Sequence, residues 1–226
     1  MWWLLWIPFI LGLSLLLIAL RIHLIGVLPK EMVTDKAQDF EDKVNNGDLL
    51  FFTGNTFGEK SIRWYHKSYW SHCSFVFRDI DKNTGLDTAF VLESDLGQHH
   101  RDGPRVTRLT DKLKNWKGLS IIAWRKYKGS PIKKDDILAI ATDYYTQNYT
   151  FDRSMYSWFF SNYPESSLYK KTKDPKAMFC SELIADVLQR LNVLDKQYIS
   201  SWYTPETFYS WNVDIYEDPI HIDFKK

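Results

Sequence analysis

Hydrophobic and polar positions divide the chain into two unlike parts. Residues 2–20 contain no charged side chain, and the apolar run continues to Leu28 with Arg21 as its one charge. At about 1.5 Å per helical residue, such a run crosses a hydrocarbon core of about 30 Å. No Lys or Arg precedes the run and no clear cleavage site follows it, which disfavours a signal peptide. The pattern predicts a single-pass transmembrane anchor over residues 1–28.

The residues that follow the anchor indicate its orientation. Arg21, Lys30 and Lys36 come after the span, whereas only the amino terminus precedes it. The positive-inside rule therefore predicts that the C-terminal part is cytosolic. A sequon that begins at Asn148 is compatible with the opposite side, and its glycosylation stays open. Residues 29–45 are polar and are expected to form a linker.

Short apolar segments between turn residues predict strands in the remaining part, 46–226. In the second of these strands, alternation places His72 and Ser74 on one face and Cys73 on the other. Asn83-Thr84-Gly85 predicts a hairpin loop between the second and third strands. Residues 54–60 are interpreted as a loop. The predicted strands cover residues 49–52, 72–77, 88–93 and 119–125.

Helical spacing of apolar residues follows later in the chain. Ser130-Pro131 is a plausible helix start, and apolar residues then recur at helical spacing. A second helix is predicted from Cys180 to Leu191, and Thr204-Pro205 opens a short third one. Residues 213–224 are expected to add terminal strand pieces. Because strands come early and helices late, the order favours an α+β fold over a doubly wound sheet.

Composition and charge exclude several classes of protein. The 226 residues are 45% hydrophobic and 25% charged, which is the composition of an ordered chain. Residues 29–226 hold 28 basic and 28 acidic side chains, so the soluble part has no field that would attract nucleic acid. Two cysteines are too few for a disulfide scaffold or a zinc site made of cysteines alone.

Three side chains are candidates for catalysis. Cys180 stands at the predicted start of a helix, where unpaired N–H groups and the helix dipole favour a thiolate. His72 begins a strand and is a candidate base for the thiol proton. If strands 72–77 and 88–93 form a hairpin, Glu93 lies near His72 and can orient its imidazole. Each has a structural alternative: a core thiol, a half-buried histidine and a solvated strand end.

Other chemistry-bearing residues receive structural interpretations. Cys73 is expected to be a core thiol because it points away from His72, although a disulfide with Cys180 stays open. His99-His100-Arg101-Asp102 lacks a further ligand pair for a metal site and is interpreted as a solvated loop. The basic run of Lys112, Lys114 and Lys117 is interpreted as a solvated helix face.

Five short motifs in one order resemble a known superfamily. The chain looks like the circularly permuted branch of the NlpC/P60 papain-like superfamily, more narrowly the bacterial YiiX/YebB-like cysteine hydrolases and related poxviral proteins. In that branch the histidine precedes the cysteine by about a hundred residues, and here the gap is 108. The motifs are Gly47 to Phe52, Trp70 to Phe77, Val91 to Ser94, Tyr149 and Phe179 to Ile184.

The resemblance, which spans roughly residues 45–210, implies an antiparallel sheet packed against helices. It implies that Cys180 is the nucleophile, His72 the base and Glu93 the orienting residue, without metal or cofactor. Tyr149 would line the substrate pocket, although Thr150 stands where the family usually has Asp.

The expected function is a membrane-anchored thiol hydrolase that cleaves an amide bond in a peptide-like substrate through a thioester. A lipid acyltransferase or phospholipase of the same fold is the enzymatic alternative. A non-catalytic membrane-tethered binding protein is the other. Partners beyond the substrate and the membrane are not expected to include nucleic acid, and the oligomeric state stays open.

Overall fold

The computed structural model describes residues 40–96, 102–116, 118–119, 121–153, 173–210 and 214–224, together with positions 14, 16–17 and 35–36. The strands are β1 Asp35–Lys36, β2 Leu49–Phe52, β3 His72–Ile80, β4 Asp87–Asp95, β5 Gly103–Arg108, β6 Ile121–Arg125, β7 Thr150–Phe151, β8 Ala177–Met178 and β9 Ile220–Asp223. The helices are α1 Phe40–Lys43, α2 Phe57–His66, α3 Leu109–Asn115, α4 Lys134–Thr146, α5 Cys180–Arg190 and α6 Pro205–Ser210, with a 3₁₀ turn at Ser200–Trp202.

One sheet organises the described part of the chain. Its strand order is β1-β9-β6-β2-β3-β4-β5, and the six strands from β9 to β5 are antiparallel. Strand β1 adds to β9 in parallel. The short β7 and β8 form a separate parallel pair. The predicted α+β class with an antiparallel sheet is therefore confirmed.

Each face of the sheet has its own hydrophobic core. On one face α5 packs against β3 and β4, with Leu183, Ile184, Val187 and Leu188 fully buried, as their helical spacing predicts. On the other face lie α1 and α3. Phe40 and Val44 belong to this second core, so part of the expected linker 29–45 packs on the sheet.

The β3–β4 hairpin places two of the candidate residues together. Its register pairs Phe75 with Leu92, which brings the start of β3 beside the end of β4. The turn uses Gly85 at φ +71°, a conformation that glycine adopts without strain. His72 begins one strand and Glu93 lies near the end of the other.

Two predictions about local structure are wrong. Residues 54–60, interpreted as a loop, contain the start of α2, where Thr56 and Glu59 form a reciprocal capping box. No strand was predicted between β4 and β6, where a helix face was expected around Lys112, but the segment forms β5 directly before α3. Strand β5 pairs with β4, so tertiary pairing rather than its own weak alternation fixes it.

The predicted anchor over residues 1–28 lies outside the described residues, apart from Ser14 and Leu16–Leu17, which are helical. Within the described part of the chain, no helix combines the length and the apolar character needed to cross a membrane.

Candidate functional site

Three candidate residues meet where β3, β4 and α5 come together. His72 is the first residue of β3, Cys180 is the first residue of α5, and Glu93 is in β4. The three are 7%, 7% and 0% exposed. A buried imidazole, thiol and carboxyl at one place are unusual in a core without a shared function.

The Glu93 carboxylate fixes one side of the imidazole. His72 Nε2 lies 2.7 Å from Glu93 Oε2, and Ser74 Oγ donates to the same oxygen at 2.9 Å. Because a carboxylate only accepts, Nε2 carries the proton in this contact. The structure therefore places His72 and Glu93 next to each other in the hairpin, as predicted. Because Nε2 faces Glu93, Nδ1 of the imidazole is available to another partner.

The Cys180 thiol is that partner. It interacts with His72 both electrostatically and through a side-chain hydrogen bond. A hydrogen bond from the Cys73 thiol lowers the pKa of Cys180 first of all, burial opposes this, and the positive imidazole lowers it further, so that the pKa is well below 9.0. The helix start adds the favourable end of the helix dipole.

The imidazole is charged in the same arrangement. Burial and nearby Lys112 lower the pKa of His72, but the Cys180 thiolate and the hydrogen bonds to Cys180 and Glu93 outweigh them and raise it to about 10. Glu93 is held ionised: burial raises its pKa, but Lys112, His72 and Arg105 bring it well below 4.5. In this arrangement the charged forms of the thiol, the imidazole and the carboxyl stabilise one another. A cysteine in such surroundings has the chemistry that a nucleophile needs.

Cys73 is the buried core thiol that the sequence predicts, and it also contacts Cys180. Alternation does place it opposite His72, but its face is the one that carries α5, and its thiol donates a hydrogen bond to Cys180. Burial and the nearby negative charge raise the pKa of Cys73 well above 9.0. Both cysteines are free thiols in this structure. Cys73 is therefore a neutral donor that stabilises the Cys180 thiolate.

The sequence interpretation of Lys112 is wrong. Only 6% of its side chain is exposed, because α3 lays it over the site, with Nζ 2.6 Å from Glu93 Oε2. Lys114, two residues on, is exposed as expected. Arg105 from β5 donates to Glu93 Oε1 at 3.2 Å and to Asp95 Oδ2 at 3.0 Å. Nothing in the local sequence distinguishes the buried Lys112 from the exposed Lys114.

A second ion cluster lies at the start of α5, next to Cys180. Lys173 Nζ lies 2.7 Å from Glu182 Oε2 and 3.0 Å from Asp152 Oδ2, and it also donates to the carbonyl of Ala177. Glu182, at the third position of α5, accepts the backbone N–H of Phe179, the residue before Cys180. Burial raises the pKa of Glu182 to about 7, Asp152 adds to this, and Lys173 opposes it. The cluster fixes the turn on which Cys180 stands.

A cleft of about 1600 Å³ opens onto the site, and Cys180, His72 and Lys112 are among its lining residues. Four large apolar side chains on its wall are exposed: Phe57 (74%), Tyr145 (69%), Leu96 (47%) and Val106 (43%). Large exposed apolar side chains gathered at one cleft indicate a binding surface.

Tyr149 is placed differently from the expectation. Its ring packs edge-on against Tyr144, 5.2 Å between centroids, and joins the core beneath α5. The described lining of the cleft includes Phe151 and Asp152 but not Tyr149. The predicted loop at 99–102 is described only at Asp102.

His72, Glu93 and Asp95 form the one group in the described chain whose ligand atoms, all within 4.8 Å of one another, could hold a metal ion. Imidazole and carboxylates are ligands that zinc accepts.

Comparisons with known proteins find a distant structural likeness. No protein-family model matches the chain, and no curated protein matches it. A crystal structure described as metalloprotein yiiX from Escherichia coli O157:H7, DUF1105, is similar with 15% identity and a TM-score of 0.42. The similarity covers 78% of this chain and 88% of that one.

Proposed function

We propose that this protein is a cysteine hydrolase, anchored in a membrane by residues 1–28, that cleaves an amide bond through Cys180, His72 and Glu93. We also propose that its fold is the permuted papain-like one, since histidine, glutamate and cysteine follow in that order along the chain. The observation that carries the proposal is the buried imidazole of His72 between the Cys180 thiol and the Glu93 carboxylate, which is 2.7 Å from Nε2.

The proposed reaction has two acyl-transfer steps. The Cys180 thiolate attacks the substrate carbonyl carbon, and the first N–H groups of α5, which have no partner within the helix, can stabilise the oxyanion. The C–N bond then breaks as the His72 imidazolium gives its proton to the leaving nitrogen. Neutral His72 next takes a proton from water, which attacks the thioester and releases the carboxylic acid with regeneration of the thiolate. Glu93 holds the imidazole throughout.

Alkylation of the full-length chain by iodoacetamide tests the nucleophile. At pH 6, wild-type Cys180 should react, because its pKa is well below 9.0 while that of Cys73 is well above it. His72→Ala removes the imidazolium and should slow labelling by about 10²-fold or more, since ordinary thiols are almost fully protonated at that pH. Peptide mapping distinguishes the two cysteines, and Cys180→Ser is the blank.

Equal labelling of Cys73 and Cys180 that His72→Ala leaves unchanged would contradict the proposal. A labelled Cys180 with no turnover of any acyl substrate would instead favour the non-catalytic binding alternative.

A lipid acyl substrate is the second candidate, and the apolar wall of the cleft favours it. Phe57, Leu96 and Val106 offer contacts to a hydrocarbon chain that a polar peptide would not use. Release of acid from long-chain acyl esters and amides in vesicles, compared with release from peptide amides, separates the two candidates. Phe57→Ser should lower turnover of the long-chain substrate and leave a short acyl analogue unaffected.

A further inference from the structure

The possible metal cluster already contains a cation. Lys112 Nζ lies 2.6 Å from Glu93 Oε2, 3.4 Å from Asp95 Oδ2 and 3.4 Å from His72 Nε2. These are the same three residues whose ligand atoms could surround a metal ion. The ammonium group therefore lies among the three ligands, where a divalent ion would need to be.

The surroundings hold Lys112 in that position. Its side chain is 6% exposed, and its ammonium lies 5.0 Å from the ring centre of Trp116 and 5.4 Å from that of Phe52. These distances are typical of cation–π contacts. Since the ammonium is packed between the carboxylates and two rings, a metal ion would have to displace it.

A second cation, the Arg105 guanidinium, also disfavours a metal ion at this cluster. The Arg105 guanidinium binds Glu93 Oε1 and Asp95 Oδ2, so the two carboxylates of the cluster are shared between two positive side chains. A divalent ion beside them would meet two like charges in a buried site, where charges are weakly screened. The imidazole and carboxylate ligands alone would suit a metal ion, but the two cations beside them do not.

We propose that Lys112 is a positioning residue whose ammonium replaces a metal ion at the His72–Glu93–Asp95 cluster. It holds Glu93 against the imidazole and prevents divalent metal from binding His72. The exclusion of metal is a property of the site itself, whereas its value for catalysis rests on the proposed function. A metal on Nε2 would break the hydrogen bond to Glu93 that orients the imidazole and would make Nδ1 a weaker base.

Zinc titration of the full-length chain by isothermal calorimetry tests the inference. Wild type and the matched control Lys114→Ala, which changes an exposed lysine of the same helix, should not bind Zn²⁺ at the cluster. Lys112→Ala should bind one Zn²⁺ at least about 100-fold more tightly than wild type, because a buried positive charge is removed. Adding His72→Ala to Lys112→Ala should abolish the gain, and Lys112→Arg should restore exclusion.

Two results would overturn the inference. One is stoichiometric zinc binding by wild type that Asp95→Asn removes, which decides the matter even if the Lys112 variants fail to fold. The other is a folded Lys112→Ala, verified by circular dichroism, that gains no zinc affinity.

The labelling assay separates this outcome from that of the proposed function. If the hydrolase proposal fails, the zinc difference between Lys112→Ala and Lys114→Ala persists while selective Cys180 labelling is absent from every variant. If the Lys112 inference fails, selective labelling of wild type persists and the zinc difference is absent. When both hold, zinc slows Cys180 labelling in Lys112→Ala and leaves wild type unaffected.

Discussion

Two lysines with little exposure lie in ion clusters near Cys180, and each contacts two carboxylates. Lys112 contacts Glu93 and Asp95, whereas Lys173 contacts Glu182 and Asp152. Both lysines are nearly inaccessible, with side chains 6% and 12% exposed. Each lysine thus contacts one Glu and one Asp over a similar range of distances.

The pKa values of the two glutamates, Glu93 and Glu182, nevertheless shift in opposite directions. Although burial raises the pKa of both, that of Glu93 is brought well below 4.5, because Lys112, His72 and Arg105 all face it. The pKa of Glu182 is raised to about 7, because burial and Asp152 outweigh Lys173. The comparison teaches that the number of cations around a buried carboxyl, and not the presence of one lysine, decides its charge. The cluster with surplus cations contains the imidazole.

Neutralising Glu93 should give the largest effect. Glu93→Gln keeps the shape but leaves Lys112 and Arg105 with Asp95 as their one shared carboxylate. Removing one partner of a buried ion pair costs about 3–5 kcal/mol. We expect the free energy of unfolding in urea to fall by that amount and Cys180 labelling at pH 6 to slow by about 10²-fold. A variant as stable as wild type would show that Lys112 and Arg105 find other partners. It would contradict the conclusion that the cations around Glu93 hold it ionised.

Neutralising Glu182 should give a smaller, pH-dependent effect. Its carboxyl pKa is about 7 when folded and 4.5 when unfolded, so the folded state binds the extra proton between these values. Stability contributed by this group is therefore present below about pH 4.5 and is lost as the pH rises to about 7, by about 3 kcal/mol. Glu182→Gln should remove this decline.

The measurement is the free energy of unfolding at pH 5 and pH 8 for wild type and Glu182→Gln. The difference between the two pH values should shrink in the variant. Equal differences in both proteins would show that Glu182 is ionised at pH 5, like Glu93.

An exposed pair provides the smallest effect and the baseline for both clusters. Lys134 and Asp79 make an ion pair at 2.5 Å with side chains 44% and 21% exposed. Exposed pairs contribute little, since water and salt screen them. Lys134→Ala should leave the urea midpoint within the error of measurement, and a loss comparable to that in Glu93→Gln would remove the distinction between buried and exposed pairs.

The three candidate residues could be predicted from the sequence more easily than the residues that surround them. Alternation and the turn at Asn83–Gly85 were sufficient to bring His72 beside Glu93, and the start of a helix at Cys180 followed from apolar spacing. These are local patterns with a fixed period, so a sequence reveals them.

The positions of the surrounding residues depend on contacts between segments that are far apart in the sequence. Lys112 and Lys173 carry no local pattern that distinguishes them from solvated lysines, which are the usual case. Strand β5, which supplies Arg105, has weak alternation and forms by pairing with β4. The partner of Cys73 could not be predicted for the same reason, since alternation gives the face of a strand but not the helix that covers it.

The Asp152–Lys173 contact also has a topological meaning. It joins two residues 21 positions apart, and the same ammonium binds Glu182 in the first turn of α5. One lysine therefore ties the residue after β7 and a residue before β8 to the helix that begins at Cys180.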